Sequence, residues 1–151
     1  MSELDEEVRA ATATDAPALA QLEADARQAL VEQRGGLQHL AERPAVGEWP
    51  TLIAATDAAV FVGSLDGVVV AYLELGFVGD LAVVRQAYVD PEARELGLGD
   101  GMLAAATDMA RARGCVAIEG TALPGDRNTK NLYERAGITA RKITVWKRLE
   151  P

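Results

Sequence analysis

The stretch Val89–Leu103, VDPEARELGLGDGML, sets Arg94 three residues ahead of Gly97 and follows it with Gly99 and Gly101, at the point where a helix begins. Glycine weakens a helix by about 1 kcal/mol relative to alanine, so helix stability does not account for the three. The first amides of a helix lack intrahelical partners and carry about half a positive charge, which makes that end attractive to anions. Glycines let a phosphate approach the backbone, and Arg94 adds a fixed two-pronged cation. The stretch therefore reads either as a pyrophosphate cradle or as a glycine-rich turn that lets a helix pack closely on a sheet. Residue types alone leave both open.

Two well-defined phosphate loops do not fit. A Walker loop needs Gly-Lys-Ser/Thr, and none follows these glycines. A dinucleotide loop needs its third glycine where Met102 stands, and it follows its strand directly, whereas Asp90 to Leu96 intervene here. Only Glu119, about 20 residues on, matches that pattern.

The rest of the composition narrows the chemistry. With 151 residues, 49% hydrophobic and 25% charged, the chain reads as one soluble globular domain. The acidic start, residues 1–7, has neither the apolar core of a signal peptide nor the basic character of a transit peptide, and no apolar run approaches the ~20 residues of a membrane span. A cytoplasmic protein is expected. One cysteine, Cys115, and one histidine, His39, offer no disulfide and no Cys/His metal cluster, so no metal site is expected. Cys115 opens the apolar run CVAI and reads as a small core residue, and His39 as a surface residue. Net charge is −8, but unevenly spread: residues 1–110 carry 6 basic and 19 acidic side chains, residues 111–151 carry 9 and 4. An acidic protein repels nucleic acid and anionic membranes, so neither is expected as a partner, while the basic last quarter suits a small phosphorylated ligand.

These residues need elements to hold them. Val8 to Ala11 reads as a short strand. Thr14 or Asp15 can cap a helix with Pro17 in its first turn, and Leu19, Leu22, Ala26, Ala29 and Leu30 recur at helical spacing. Residues 37–57 are ambiguous apart from a short helix at TLIAATD. Residues 58–64 and 68–75 form a hairpin about Asp66-Gly67, and 81–89 is a third β-rich run. Leu98, Met102, Ala105, Ala106, Met109 and Ala110 form a helical stripe that ends at Gly114. Residues 115–121 read as a strand, 128–136 as a helix closed by Gly137, and 143–149 (ITVWKRL) alternates as a last strand. Antiparallel strands leading into a β-α-β crossover predict an α/β domain with a mixed sheet.

Val89-Asp90-Pro91 followed by Arg94-x-x-Gly97-x-Gly99 resembles the acetyl-CoA signature of the GNAT N-acetyltransferase superfamily. Asn131-Leu132-Tyr133-Glu134-Arg135-Ala136-Gly137-Ile138 resembles its second signature, in the expected order and separation. The likeness runs over residues 8–149, with Val8, Arg9 and Asp15 matching the opening strand and helix. It implies a GNAT-like acyl-CoA N-acyltransferase fold: a mixed, mostly antiparallel central sheet flanked by helices, with a shortened C-terminal strand region. It also implies an N-acetyltransferase that uses acetyl-CoA as donor and acetylates a primary amine directly in a ternary complex.

Carried over, the likeness implies that Arg94 and the amides of Leu96, Gly97, Leu98, Gly99 and Asp100 hold the CoA pyrophosphate. It implies that Ala87, Tyr88 and Val89 pair with pantetheine, one of their N–H groups serving as oxyanion donor. Tyr133 becomes the acid for the departing thiolate; a phenol near 10 can donate to a thiol near 8.5. Lys130 is placed to reach a CoA phosphate, and Asn128 and Asn131 to bond pantetheine amides. The family's pantetheine asparagine falls on Asp126, Ile138 replaces a common Phe, and only about a dozen residues follow Gly137. A general base is needed as well: Glu119, near the end of the fifth strand, is the first candidate, followed by Glu74 and the hydroxyls of Tyr72 and Tyr88. The expected acceptor is a small-molecule or peptide amine and a homodimer is the family expectation. The alternative is an acyl-CoA-binding module without chemistry.

Overall fold

A hydrogen-bonded corner starts the chain. In the computed structural model, which describes residues 4–149, strand β1 (Glu6–Ala10) carries Arg9, whose guanidinium donates to both oxygens of Asp15 at 2.7 and 2.9 Å. The Thr12 amide donates to the same carboxylate at 2.8 Å. The Arg9 hydrogen bond holds Asp15 below the usual carboxylate range against the opposing effect of burial. Asp15 thus locks β1 to helix α1 (Ala16–Leu30), which buries Leu19 and Leu22. Helices α2 (Gly36–Glu42) and α3 (Trp49–Ala54) fill the stretch that sequence left largely ambiguous.

Strands β2 (Ala58–Leu65) and β3 (Val68–Val78) meet at Asp66-Gly67, with φ of 49° and 84°. Two consecutive positive φ values give a turn whose twist matches the strands, which is why Asp-Gly makes a tight hairpin here. Strand β4 (Leu81–Val89) follows, then helix α4 (Leu98–Ala112), strand β5 (Ala117–Gly120) and helix α5 (Arg127–Arg135). The sheet order is β1-β2-β3-β4-β5, antiparallel except for the parallel β4–β5 pair that α4 connects. This is the mixed, mostly antiparallel sheet that the sequence predicts.

Each face of the sheet is covered by helices. Leu98, Met102, Leu103 and Ala106 of α4 pack on Phe61, Leu73 and Leu75, while Leu19, Leu22 and Trp49 pack on Val60, Val62 and Tyr72 from the other side. A bulge in β4 decides which side chains reach which face. Glu74 pairs with Gln86 but Leu75 pairs with Val84, leaving Arg85 as the extra residue. Ala82 and Val84 therefore face α4, as do Ala87 and Val89, whereas Tyr88 joins the α1 side. Without the bulge, simple alternation would keep residues 82, 84, 86 and 88 on one face.

Three sequence expectations change. Residues 143–149 form no strand: Ile143, Val145 and Leu149 are at least 84% exposed, and the segment is irregular. Alternation specifies which side chains share a face, but a strand also needs an edge within bonding reach, and none pairs with this segment. The acidic start is not all tail, because Glu6 and Glu7 pair with Leu65 and Ser64. The fifth strand is trimmed to four residues, since β5 has a parallel partner only along Leu81–Val84.

Candidate functional site

Past Val84 and Gly120, β4 and β5 no longer pair, and a cleft of about 1140 Å³ opens there between the two helical layers. Its one end is built by local backbone. Asp90 accepts from the Glu92 amide and turns the chain out of β4 through Pro91–Ala93. Arg94 then returns: its Nε donates to the Val89 carbonyl at 3.1 Å and its guanidinium lies 5.9 Å from the centre of the Tyr88 ring. That leaves its remaining N–H donors for the cleft, which Arg94 lines.

The glycines divide the labour. Gly97 precedes α4 with φ of 87°, a left-handed conformation that a side chain resists, and Glu95 sits at φ 69° just before it. They lead into the first turn of α4, where the amides of Leu98, Gly99 and Asp100, residues that line the cleft, have no intrahelical partner. Gly101 does something else: a Cβ there would sit 3.0 Å from Val8, so its absence lets α4 pack on β1. Of the two readings open in the sequence, close packing is present at Gly101, while Gly97 sets the turn from which the first-turn amides of α4 start.

Asp100 stands in the first turn of α4, where its Oδ1 accepts from Arg135 Nε of α5 at 3.0 Å and forms an ion pair with the same guanidinium. Helix α5 begins at Asp126, whose side chain caps it by accepting from the Thr129 amide and hydroxyl. Capping therefore occupies Asp126 and leaves Asn128 and Asn131, both exposed on the cleft wall, to other partners. Tyr133 is 7% exposed and its ring is wedged over the end of β5, its hydroxyl filling the space a side chain at Gly120 would take. Burial, with a smaller contribution from Asp126, pushes the phenol up to about 12. The hydroxyl thus stays protonated, a donor, across the physiological range.

The far end of the cleft is assembled from distant elements. Gln86 of β4 donates through Nε2 to Glu23 of α1 at 2.8 Å and to Glu74 of β3 at 2.9 Å, while its Oε1 accepts from the Tyr72 hydroxyl at 2.6 Å. Glu23 also accepts from the Val46 amide at 3.1 Å. Glu23 and Glu74 are 4% and 7% exposed. Burial raises Glu74 above the usual carboxylate range, and the Gln86 hydrogen bond partly opposes it. Burial raises Tyr72 further still. Arg27, Arg43 and His39 line the wall on this side. Arg27 is tied to the Arg43 carbonyl at 2.6 Å, and Arg43 Nη1 is buried without a partner among the described residues. His39 is half-buried rather than a surface residue, and burial, aided by Arg43, holds its pKa below the ordinary value.

Of the residues singled out in the sequence, the cleft brings together Ala87, Tyr88, Val89, Arg94, Gly97, Leu98, Gly99, Asp100, Asn128, Asn131 and Tyr133. It does not bring Glu119, Lys130 or the Leu96 side chain. Glu119 is exposed on β5, opposite Val83 and away from the lining, because at that point β4 and β5 still pair. Lys130 points out to Glu134, 3.9 Å away. Sequence reasoning missed Gln86, Glu23 and Gly120. The signal for Gln86 and Glu23 was a polar residue inside an apolar run or stripe; for Gly120 there was none.

Among the described residues no helix is long and apolar enough to cross a membrane, and no cluster of three or more acidic, His or Cys side chains is set to hold a metal. A family model described as the acetyltransferase (GNAT) family matches residues 19–138. No curated protein matches the chain. Among solved structures, the chain is similar to the aminoglycoside N-acetyltransferase AAC(6')-Iy in complex with CoA, with a TM-score of 0.72 and 18% identity over 99% of this chain and 98% of that one. It is similar to an aminoglycoside acetyltransferase from an uncultured soil metagenomic sample in complex with sisomicin, with a TM-score of 0.68 and 16% identity over 97% and 96% of the two chains. It is also similar to a ribosomal-protein-alanine N-acetyltransferase from Brucella melitensis, with a TM-score of 0.70 and 16% identity over 96% and 98%.

Proposed function

The chain belongs to the acetyltransferase (GNAT) family, and from that premise we propose that it transfers an acetyl group from acetyl-CoA to a primary amine, within one domain over residues 8–149. The observation that carries the reading is the continuity of the cleft. It runs from the unpartnered amides at the start of α4 to the gap between β4 and β5 where the Tyr133 hydroxyl lies. The cradle suits a diphosphate: three first-turn amides, the positive helix end and Arg94 converge on one wall. Acetyl-CoA supplies the activated acyl group when bound. Asn128 and Asn131 offer donors and acceptors to its amides, and the free edge of β4 at Ala87–Val89 offers backbone N–H groups to the acetyl oxygen. Tyr133, kept protonated by burial, donates to the sulfur as charge develops there.

Two measurements test this in order. Acetyl-CoA or CoA at about one hundred times its Kd should stabilise the fold by about 2.7 kcal/mol, a rise in Tm of roughly 5–10 °C, while NAD should give none. Equal shifts with NAD, or none with CoA, end the reading. With an amine found by a thiol-release screen, Tyr133→Phe should lower kcat by about 10²–10⁴-fold with acetyl-CoA affinity kept. A loss of only a few-fold removes Tyr133 from the acid role. A chain that binds acetyl-CoA but releases no thiol with any amine in the screen is the acyl-CoA-binding module instead.

A further inference from the structure

Where helices α1 and α2 wall the cleft, the acidic side chains have partners and the arginines do not. Glu23 accepts from the Val46 amide and from Gln86, and Glu74 accepts from the same Gln86. Neither acid is paired with a guanidinium, and among the described residues neither Arg27 nor Arg43 forms an ion pair at all. Both arginines are half-buried and line the cleft. Arg27 donates to the carbonyls of Arg43 and Leu40, at 2.6 and 3.4 Å, which brings the two residues to one corner. Arg43 Nη1 is buried there with no hydrogen-bond partner among the described residues.

A guanidinium taken out of water needs an opposite charge or a full set of acceptors, and leaving it with neither is costly. Two such cations in one corner mark a place that a ligand's negative group completes. Their field already acts on a neighbour. Burial, then Arg43 and Arg27, hold His39 below its ordinary value against the opposing effect of Glu42.

We propose that Arg27 and Arg43 form a carboxylate subsite, so that the acceptor carries a carboxylate in the same molecule as its amine, as an amino acid or a short peptide does. The inference rests on the acetyltransferase reading and adds to it the second functional group of the acceptor. A planar carboxylate suits a guanidinium, which grips it with two parallel hydrogen bonds. A phosphate dianion suits this wall less, because Glu74 lines it too and Glu23 is bonded to the same Gln86 amide. A polycation is repelled by both arginines. The subsite therefore sets the acceptor of this chain apart from the aminoglycosides for which two similar structures are named.

His39 reports on the corner. It is the one histidine of the chain, so its ring signal is assigned without further work. The charges facing it are Arg27 from α1, Arg43 just after α2, and Glu42 on its own helix. A carboxylate seated between the arginines offsets their charge and lets His39 hold its proton to higher pH.

The test is an NMR titration of the His39 ring in the full-length protein, with and without CoA, at matched ionic strength. L-Alanine and L-alanyl-L-alanine, which set the carboxylate at two distances from the amine, are added at tens of millimolar. One or both should raise the His39 midpoint by about 0.5 pH. Ethylamine, which is L-alanine without its carboxylate, should not raise it, and inorganic phosphate should raise it less. Arg43→Gln should raise the midpoint of the free protein and increase the ligand concentration for half-response by about 10-fold or more. Should that variant not fold, Arg43→Lys keeps the charge without the fork, and the same weakening is expected with the free midpoint little moved. A His39 that ignores both carboxylate ligands in both states, or answers ethylamine or phosphate as strongly, or answers the carboxylates undiminished in the Arg43 variants, overturns the proposal. The titration without CoA needs no acetyl donor. A failure of CoA to bind thus counts against the acetyltransferase reading alone.

Discussion

At one end of the cleft, Arg94, Gly97 and the first amides of α4 come from seven consecutive residues, held by local turns and a single hydrogen bond back to Val89. At the other end, Glu23, Tyr72, Glu74 and Gln86 come from three elements, and one bond in the cluster joins residues 63 positions apart. The first end is exposed and made mostly of backbone; the second is buried and made of side chains. Backbone donors fixed by φ values bind any ligand with the right phosphates, which suits a shared cosubstrate. Buried side chains recognise a particular charge and shape, which suits the partner that differs from one acetyltransferase to another. The two ends should therefore fail separately when altered.

The sharpest way to break that separation is Gly97→Val. A β-branched residue at φ 87° is strained by about 1–3 kcal/mol, and relieving the strain would turn the first amides of α4 away from the cleft. Acetyl-CoA affinity should fall by roughly 10–100-fold by titration calorimetry. A fall below two-fold would show that the amides are not the cradle. Arg94→Ala should cost less, about 10-fold, since one charge-assisted hydrogen bond is worth about 1.5–3 kcal/mol before exposure to solvent discounts it. Its effect should shrink as salt is raised. Both variants should leave the His39 titration where it was, whereas coupling between the ends would move it.

The smallest expected effect carries an unusual sign. Asp100 places a carboxylate at the positive end of α4, beside the proposed diphosphate, and Arg135 partly neutralises it. Asp100→Asn should tighten acetyl-CoA binding by about 2–5-fold, the range expected for one charge near a helix end. Weaker binding would mean that Asp100 and Arg135 matter chiefly as a tie between α4 and α5. A stability change with pH should come from elsewhere. The depressed Asp15 contributes stability above the ordinary carboxylate value and loses it as pH falls through its own lower value, so Asp15→Asn should flatten the acid side of the unfolding curve.

Sequence by itself determined what depends on neighbours along the chain. The hairpin at Asp66-Gly67 needs two residues that tolerate positive φ, α1 needs Asp15 and Pro17 at its start, and α4 needs its apolar stripe. Each is a local requirement that residue type meets directly. The proposed cradle belongs to the same class, because its turn and helix end are made within seven residues. Tertiary structure decided the rest. The bulge at Arg85 sends Tyr88 to the α1 face, a shift of register that composition does not encode, and it sets Gln86 against Glu23 and Glu74. Whether Glu119 or Glu74 faces the cleft depended on where β4 and β5 part. Whether residues 143–149 became a strand depended on an edge to pair with, and alternation of side chains supplies a face without supplying that edge.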